Sequence, residues 1–106
     1  MTVYRSRLSF MVQRPRTSTK AVRLLRDATR RVGRAKNQSW TVRKITDARG
    51  RARGKGSHIM WGVFDANGKE LARGSVTNHP GTMSRTVTRN FEADFEELLG
   101  EGWMDQ

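Results

Sequence analysis

Hydrophobic and polar positions change period several times along the chain, and each change marks an element. Tyr4, Ser6, Leu8, Phe10 and Val12 alternate with Arg5, Arg7, Ser9 and Met11, the period of a half-buried strand, and Pro15 ends the pattern. From Lys20 the period becomes helical. Ala21, Leu25, Ala28 and Val32 form one stripe widened by Val22 and Leu24, with Thr17, Ser18 or Thr19 as N-cap and Gly33 as the expected stop. "SWTVRKI" then reads as a strand with Trp40 and Val42 on one face and Thr41, Arg43 and Ile45 on the other.

"HIMWGVF" and "KELARGSV" follow as two strands joined by "DANG", where Asn67-Gly68 supplies the positive φ of a tight hairpin. On the first of these strands Ile59, Trp61 and Val63 share an apolar face, so His58, Met60, Gly62 and Phe64 point the other way. Met83, Val87, Phe91, Phe95 and Leu98 predict one continuous final helix that Gly100 ends. The expected fold class is α+β: an α-β-β-β-α core over 17–100 with an antiparallel sheet, both helices on one face, an extra N-terminal strand in 1–16 and a tail at 101–106. All 106 residues read as a single domain with no internal repeat.

Charge adds what periodicity cannot. The net charge is +11, but residues 1–55 carry 17 Lys/Arg against Asp27 and Asp47, whereas from Glu92 onward six acidic residues meet no basic one. A cationic half attracts polyanions over long range, and nucleic acid is the expected partner. Arg23, Arg26 and Arg30 crowd the polar back of the first helix, and Arg49, Arg51, Arg53 and Lys55 lie in a glycine-rich loop that cannot bury apolar surface. With no Cys, thiolate metal sites and disulfides are absent, and no acidic pair has metal-ligand spacing. No cofactor is expected. No apolar stretch is long enough to span a bilayer and the N-terminus lacks a signal-peptide pattern, so the expected location is cytoplasmic, with no membrane partner.

His58 follows Gly56-Ser57, where compact backbone lets N–H groups approach an anion. A histidine at a strand start is often structural; beside a phosphate-binding loop it is also the proton-transfer group at hand. His79, in the turn "NHPG", reads first as an exposed turn residue or phosphate contact, and second as a general acid if the fold brings it close to His58. Trp40 and Trp61 read as core or docking residues, and Trp103, in a glycine-flanked acidic end, as a base-stacking candidate.

The run Lys55-Gly56-Ser57-His58-Ile59-Met60-Trp61 resembles the K-G-S-H-x-x-aromatic signature of the HicA family of mRNA-interferase toxins, and "NHPGTM" is similar to that family's start of the last helix. The resemblance spans residues 20–95 and implies a double-stranded-RNA-binding-like fold. It implies RNA cleavage at a site that includes Lys55, Gly56, Ser57 and His58; the residues themselves suit a metal-independent reaction with His58 as base and Arg49, Arg51, Arg53 and Lys55 around the phosphate. It also implies a HicB-like antitoxin as protein partner. The other reading is a non-catalytic nucleic-acid-binding protein on the same fold.

Overall fold

The computed structural model describes residues 15–46, 58–78 and 81–105. The expected N-terminal strand at 3–12 lies outside them, as do Arg49, Arg51, Arg53, Lys55, Gly56, Ser57 and His79.

Helix α1 (Ser18–Ala35) starts where the sequence places it: Thr17 has extended backbone and its hydroxyl accepts from the Lys20 amide at 3.1 Å. Ala21, Leu25 and Ala28 are buried, as the apolar stripe requires. Gly33, however, does not stop the helix. It is buried inside the last turns because Trp40 folds back over it, and a Cβ there would stand 3.1 Å from the Gln38 carbonyl oxygen and 3.6 Å from the Trp40 ring. The chain leaves the helix at Lys36, and Asn37 takes the left-handed conformation, φ 57°.

Three strands, β1 (Thr41–Lys44), β2 (His58–Phe64) and β3 (Glu70–Thr77), form an antiparallel sheet in the order β1-β2-β3. The register sets Val42 against Val63 and Lys44 against Trp61, then Trp61 against Gly74 and Ile59 against Val76. The β2–β3 hairpin closes on Asp65, whose carboxylate accepts from the Asn67 and Lys69 amides, both at 2.9 Å. Gly68 alone supplies the positive φ, 83°; Asn67 does not share it.

The last apolar stripe is not one helix. After Ser84 caps its start, α2 (Arg85–Asp94) ends at Phe95, and a short α3 (Glu96–Leu99) and a 3₁₀ turn (Trp103–Asp105) follow. The break comes from contact with the sheet. A Cβ on Gly74 would lie 2.8 Å from the Phe95 ring and 2.9 Å from the Asp94 carboxylate, so the bare backbone of β3 is what receives the end of α2. Redirected there, the chain buries Leu99 where the stripe names Leu98, and brings Trp103 and Met104 into the core. Residues 101–105 are therefore not a loose tail. Phe91, Phe95 and Trp103 meet edge-to-face with centroids 5.1–6.0 Å apart, and Trp103 donates its indole N–H to the Glu92 carbonyl at 2.8 Å.

The segments leading into the two long helices are tied side by side. Thr17 and Thr82 form a β-bridge, Met83 N–H donates to the Arg16 carbonyl at 2.8 Å, and the Arg16 guanidinium reaches Asp105 at 2.7 Å.

Candidate nucleic-acid interface

The arginines of α1 are exposed because they fall opposite Ala21, Leu25 and Ala28, and the packing of that stripe on the sheet aims them outward and along the β1 edge. Arg26 is the central one. Its guanidinium donates to the Val42 carbonyl at 3.4 Å and lies 5.4 Å from the centre of the Trp61 ring. From β1, Lys44 brings its ammonium to 5.8 Å from the same ring. Lys44 reaches this face because it is two residues from buried Val42, and strand alternation returns it to the helix side.

A hollow of about 700 Å³ opens between the N-terminal half of α1 and the sheet. Val22, Ile59, Trp61 and Val76 form its apolar walls; Ser18, Thr19, Thr77 and Asn78 line one end, and Arg23, Arg26 and Lys44 line the rest. A second hollow of about 460 Å³ lies further along the helix, with Arg26, Arg30 and Arg34 on one side and Trp40 and Val42 on the other. Arg26 belongs to both, so the helix back is a basic ridge between two depressions. The linings contain five cations and no carboxylate. Two hollows with cationic rims, apolar walls and one indole held between cations suit phosphates and stacked rings.

The opposite sheet face carries His58, Met60, Gly62 and Phe64, as the alternation of β2 requires. Arg43 lies 4.0 Å above the Phe64 ring, and Gly62 leaves room for Phe64 and Ile45 to meet over the strand. His58 begins β2 opposite Thr77, is half-buried, and its Nδ1 is buried with no hydrogen-bond partner among the described residues. Ser18 at the start of α1 donates its hydroxyl to the Thr77 carbonyl, which ties the helix start to the end of β3 opposite His58. By strand alternation His58 stands on the sheet face opposite Ile59 and Trp61, paired with Thr77, whose hydroxyl lies 3.3 Å from that of Ser18.

The structure therefore gathers Arg23, Arg26 and Arg30 on one ridge and puts His58 across the sheet from them. Sequence reasoning missed Lys44 and Arg34 as members of the ridge and assigned Trp61 to core or docking without its cations. The signal for Lys44 was present: a lysine at the alternate position from an apolar strand residue stands on the helix-facing side. Trp103 is corrected outright, since at 1% exposure it stacks on protein rings and offers no surface to a base.

The acidic residues collect elsewhere. Asp94 lies against β3 at Gly74 and burial raises its pKa; burial, then the neighbouring Glu101 charge, raises that of Glu96. Among the described residues no three His, Cys, Asp or Glu side chains converge as a metal-ion set, and no helix is long and apolar enough to cross a membrane. No family model, curated protein or solved structure matches this chain.

Proposed function

We propose that this chain is a metal-independent RNA endonuclease of toxin type, built on a double-stranded-RNA-binding-like core, with His58 as the general base. The succession α1-β1-β2-β3-α2 and the strand order β1-β2-β3 support that fold assignment. The observation that carries the reading is the state of His58. Its ring is half-buried at the start of the central strand, and a buried Nδ1 stands without a partner among the described residues. A histidine kept only for packing normally has its buried nitrogen satisfied, because an unmade hydrogen bond costs about 1–3 kcal/mol.

RNA brings its own nucleophile. His58 takes the proton of a 2′-hydroxyl through Nε2, its Nδ1 being buried, the oxygen attacks the adjacent phosphorus, and the P–O5′ bond breaks as the leaving oxygen collects a proton from solvent. The products are a 2′,3′-cyclic phosphate and a 5′-hydroxyl. Base catalysis of this kind contributes about 10²–10⁴-fold. Arg51, Arg53 and Lys55 precede His58 in the sequence by seven, five and three positions, and in this reading their cations balance the charge that builds on the phosphorane. A HicB-like antitoxin is the protein partner this reading implies, covering the His58 face.

A second reading is a non-catalytic RNA-binding protein. What favours it is the position of Arg23, Arg26 and Lys44 across the sheet from His58, where they hold phosphates whether or not the histidine acts. One experiment separates the two. Incubated with a single-stranded RNA in excess EDTA, the wild-type protein is expected to release cyclic-phosphate ends, and His58→Ala to release none while keeping its RNA affinity. A DNA strand of the same sequence is expected to bind without being cut. Full activity in His58→Ala, or arrest by EDTA, overturns the mechanism; binding without cleavage by wild type establishes the second reading.

A further inference from the structure

We infer that the hollow between α1 and the sheet is a subsite for one unpaired nucleotide of a single-stranded RNA, its base against Trp61 and its phosphate on Arg23, Arg26 and Lys44. The inference rests on the RNA-binding part of the proposed function and places a second contact across the sheet from His58. Its volume, about 700 Å³, falls in the range of sites that enclose small organic ligands. Trp61 is half-buried, so its ring is neither consumed by the core nor left on a flat surface.

Charge selects an anion. Three cations line the hollow, no carboxylate does, and none of the three has a carboxylate partner among the described residues. Two cations that the fold neutralises are elsewhere: Arg16 on Asp105 and Arg73 on Glu70. Three exposed cations that converge on one hollow with no carboxylate among them attract a phosphate together. The apolar walls select against an ion alone. Val22, Ile59 and Trp61 would gain nothing from bare phosphate, whereas a base covers them and stacks. A paired base cannot do so, because its faces are already occupied in the helix, so the subsite discriminates single strands from duplex.

The test uses the full chain with a 2′-O-methyl heptauridylate, which keeps bases and phosphates but lacks the nucleophilic hydroxyl and survives the titration. Backbone amide resonances of Val22, Arg23, Ile59 and Val76 are expected to shift saturably with this strand, and much less when it is annealed to its complement. Trp61→Leu is expected to weaken single-strand binding about tenfold, the worth of one stacked base, and to leave duplex binding unchanged. The wild-type resonances decide the matter even if Trp61→Leu does not fold. The inference is overturned if the shifts are confined to the His58 face, if duplex moves the same amides equally, or if polyglutamate of matched charge does. Cleavage of natural RNA by a protein whose hollow shows no shifts would remove the subsite and leave the nuclease reading standing. Saturable shifts in a protein that cuts nothing would do the reverse.

Discussion

Trp61 and Trp103 are the same residue type in one small domain, and they do different work. Trp103 is 1% exposed, meets Phe91 and Phe95 edge-to-face, and has its single donor bonded to the Glu92 carbonyl. Trp61 is half-buried, faces the hollow beneath α1, and has cations at 5.4 and 5.8 Å. An indole whose neighbours are rings and whose N–H is satisfied has nothing left to offer a ligand. An indole flanked by unpaired cations at the wall of an open hollow has a face, and a charge environment, still to be used. What a tryptophan does here depends on the company its strand or turn brings to it.

The largest effect expected from this contrast is on stability. Trp103→Ala removes a fully buried side chain from the aromatic cluster and is expected to cost about 3–5 kcal/mol, enough to unfold much of a small domain. Trp61→Leu, which keeps an apolar group on the sheet, is expected to cost about 1 kcal/mol. Urea denaturation followed by circular dichroism measures both. Equal losses would erase the distinction and return Trp61 to the core.

That contrast was only partly legible in the sequence. The alternation of β2 placed Trp61 with Ile59 and Val63 and set His58 on the other face, because a two-residue period fixes facing without knowledge of tertiary contacts. The helix start at Thr17 and the strand at Thr41–Lys44 were legible for the same local reason. Trp103 was not. Its burial depends on α2 breaking at Phe95, and the break depends on a glycine 21 residues earlier in β3 whose missing side chain admits the Phe95 ring. Gly33 misled in a similar way: it is glycine because Trp40 lies over it, not because the helix ends there. The ridge arginines were legible as a charged helix back, but the hollow and the membership of Lys44 arise from the docking of α1 against β1, a long-range outcome.

The second expectation sharpens the comparison through salt. Replacing Arg23, Arg26 and Lys44 together by Ala is expected to lower the slope of log K against log salt for single-stranded RNA by about 2, since each neutralised phosphate contributes about 0.7. Arg16→Ala is expected to leave that slope unchanged, because its cation is already held at 2.7 Å by Asp105. Fluorescence anisotropy at several salt concentrations reads both variants. An equal loss of slope in Arg16→Ala would mean that the affinity follows overall charge and that the ridge has no special part in it.

The smallest effect concerns the acidic end that closes the Trp103 side of the molecule. Burial and the nearby Glu101 carboxylate both raise the pKa of Glu96, so the folded protein holds its proton more tightly than the unfolded chain does. Such a group favours folding most below its unfolded pKa, and the advantage is lost as pH rises through the folded value; at neutral pH it opposes the fold. Glu96→Gln is therefore expected to stabilise the protein slightly at pH 7, because it removes a partly desolvated charge and its repulsion with Glu101. The gain should vanish near pH 4, where the native side chain is itself becoming neutral. Long-range attraction between Glu96 and the basic half works in the opposite direction, but at 0.15 M salt it is screened beyond about 8 Å, whereas the contact with Glu101 is local. Thermal unfolding of wild type and Glu96→Gln at pH 4 and pH 7 in that salt separates the two terms. A variant less stable at pH 7 would show that the acidic end is held by its attraction to the arginines and lysines of the first half, and that the two sides of this molecule are coupled by charge as well as joined by packing.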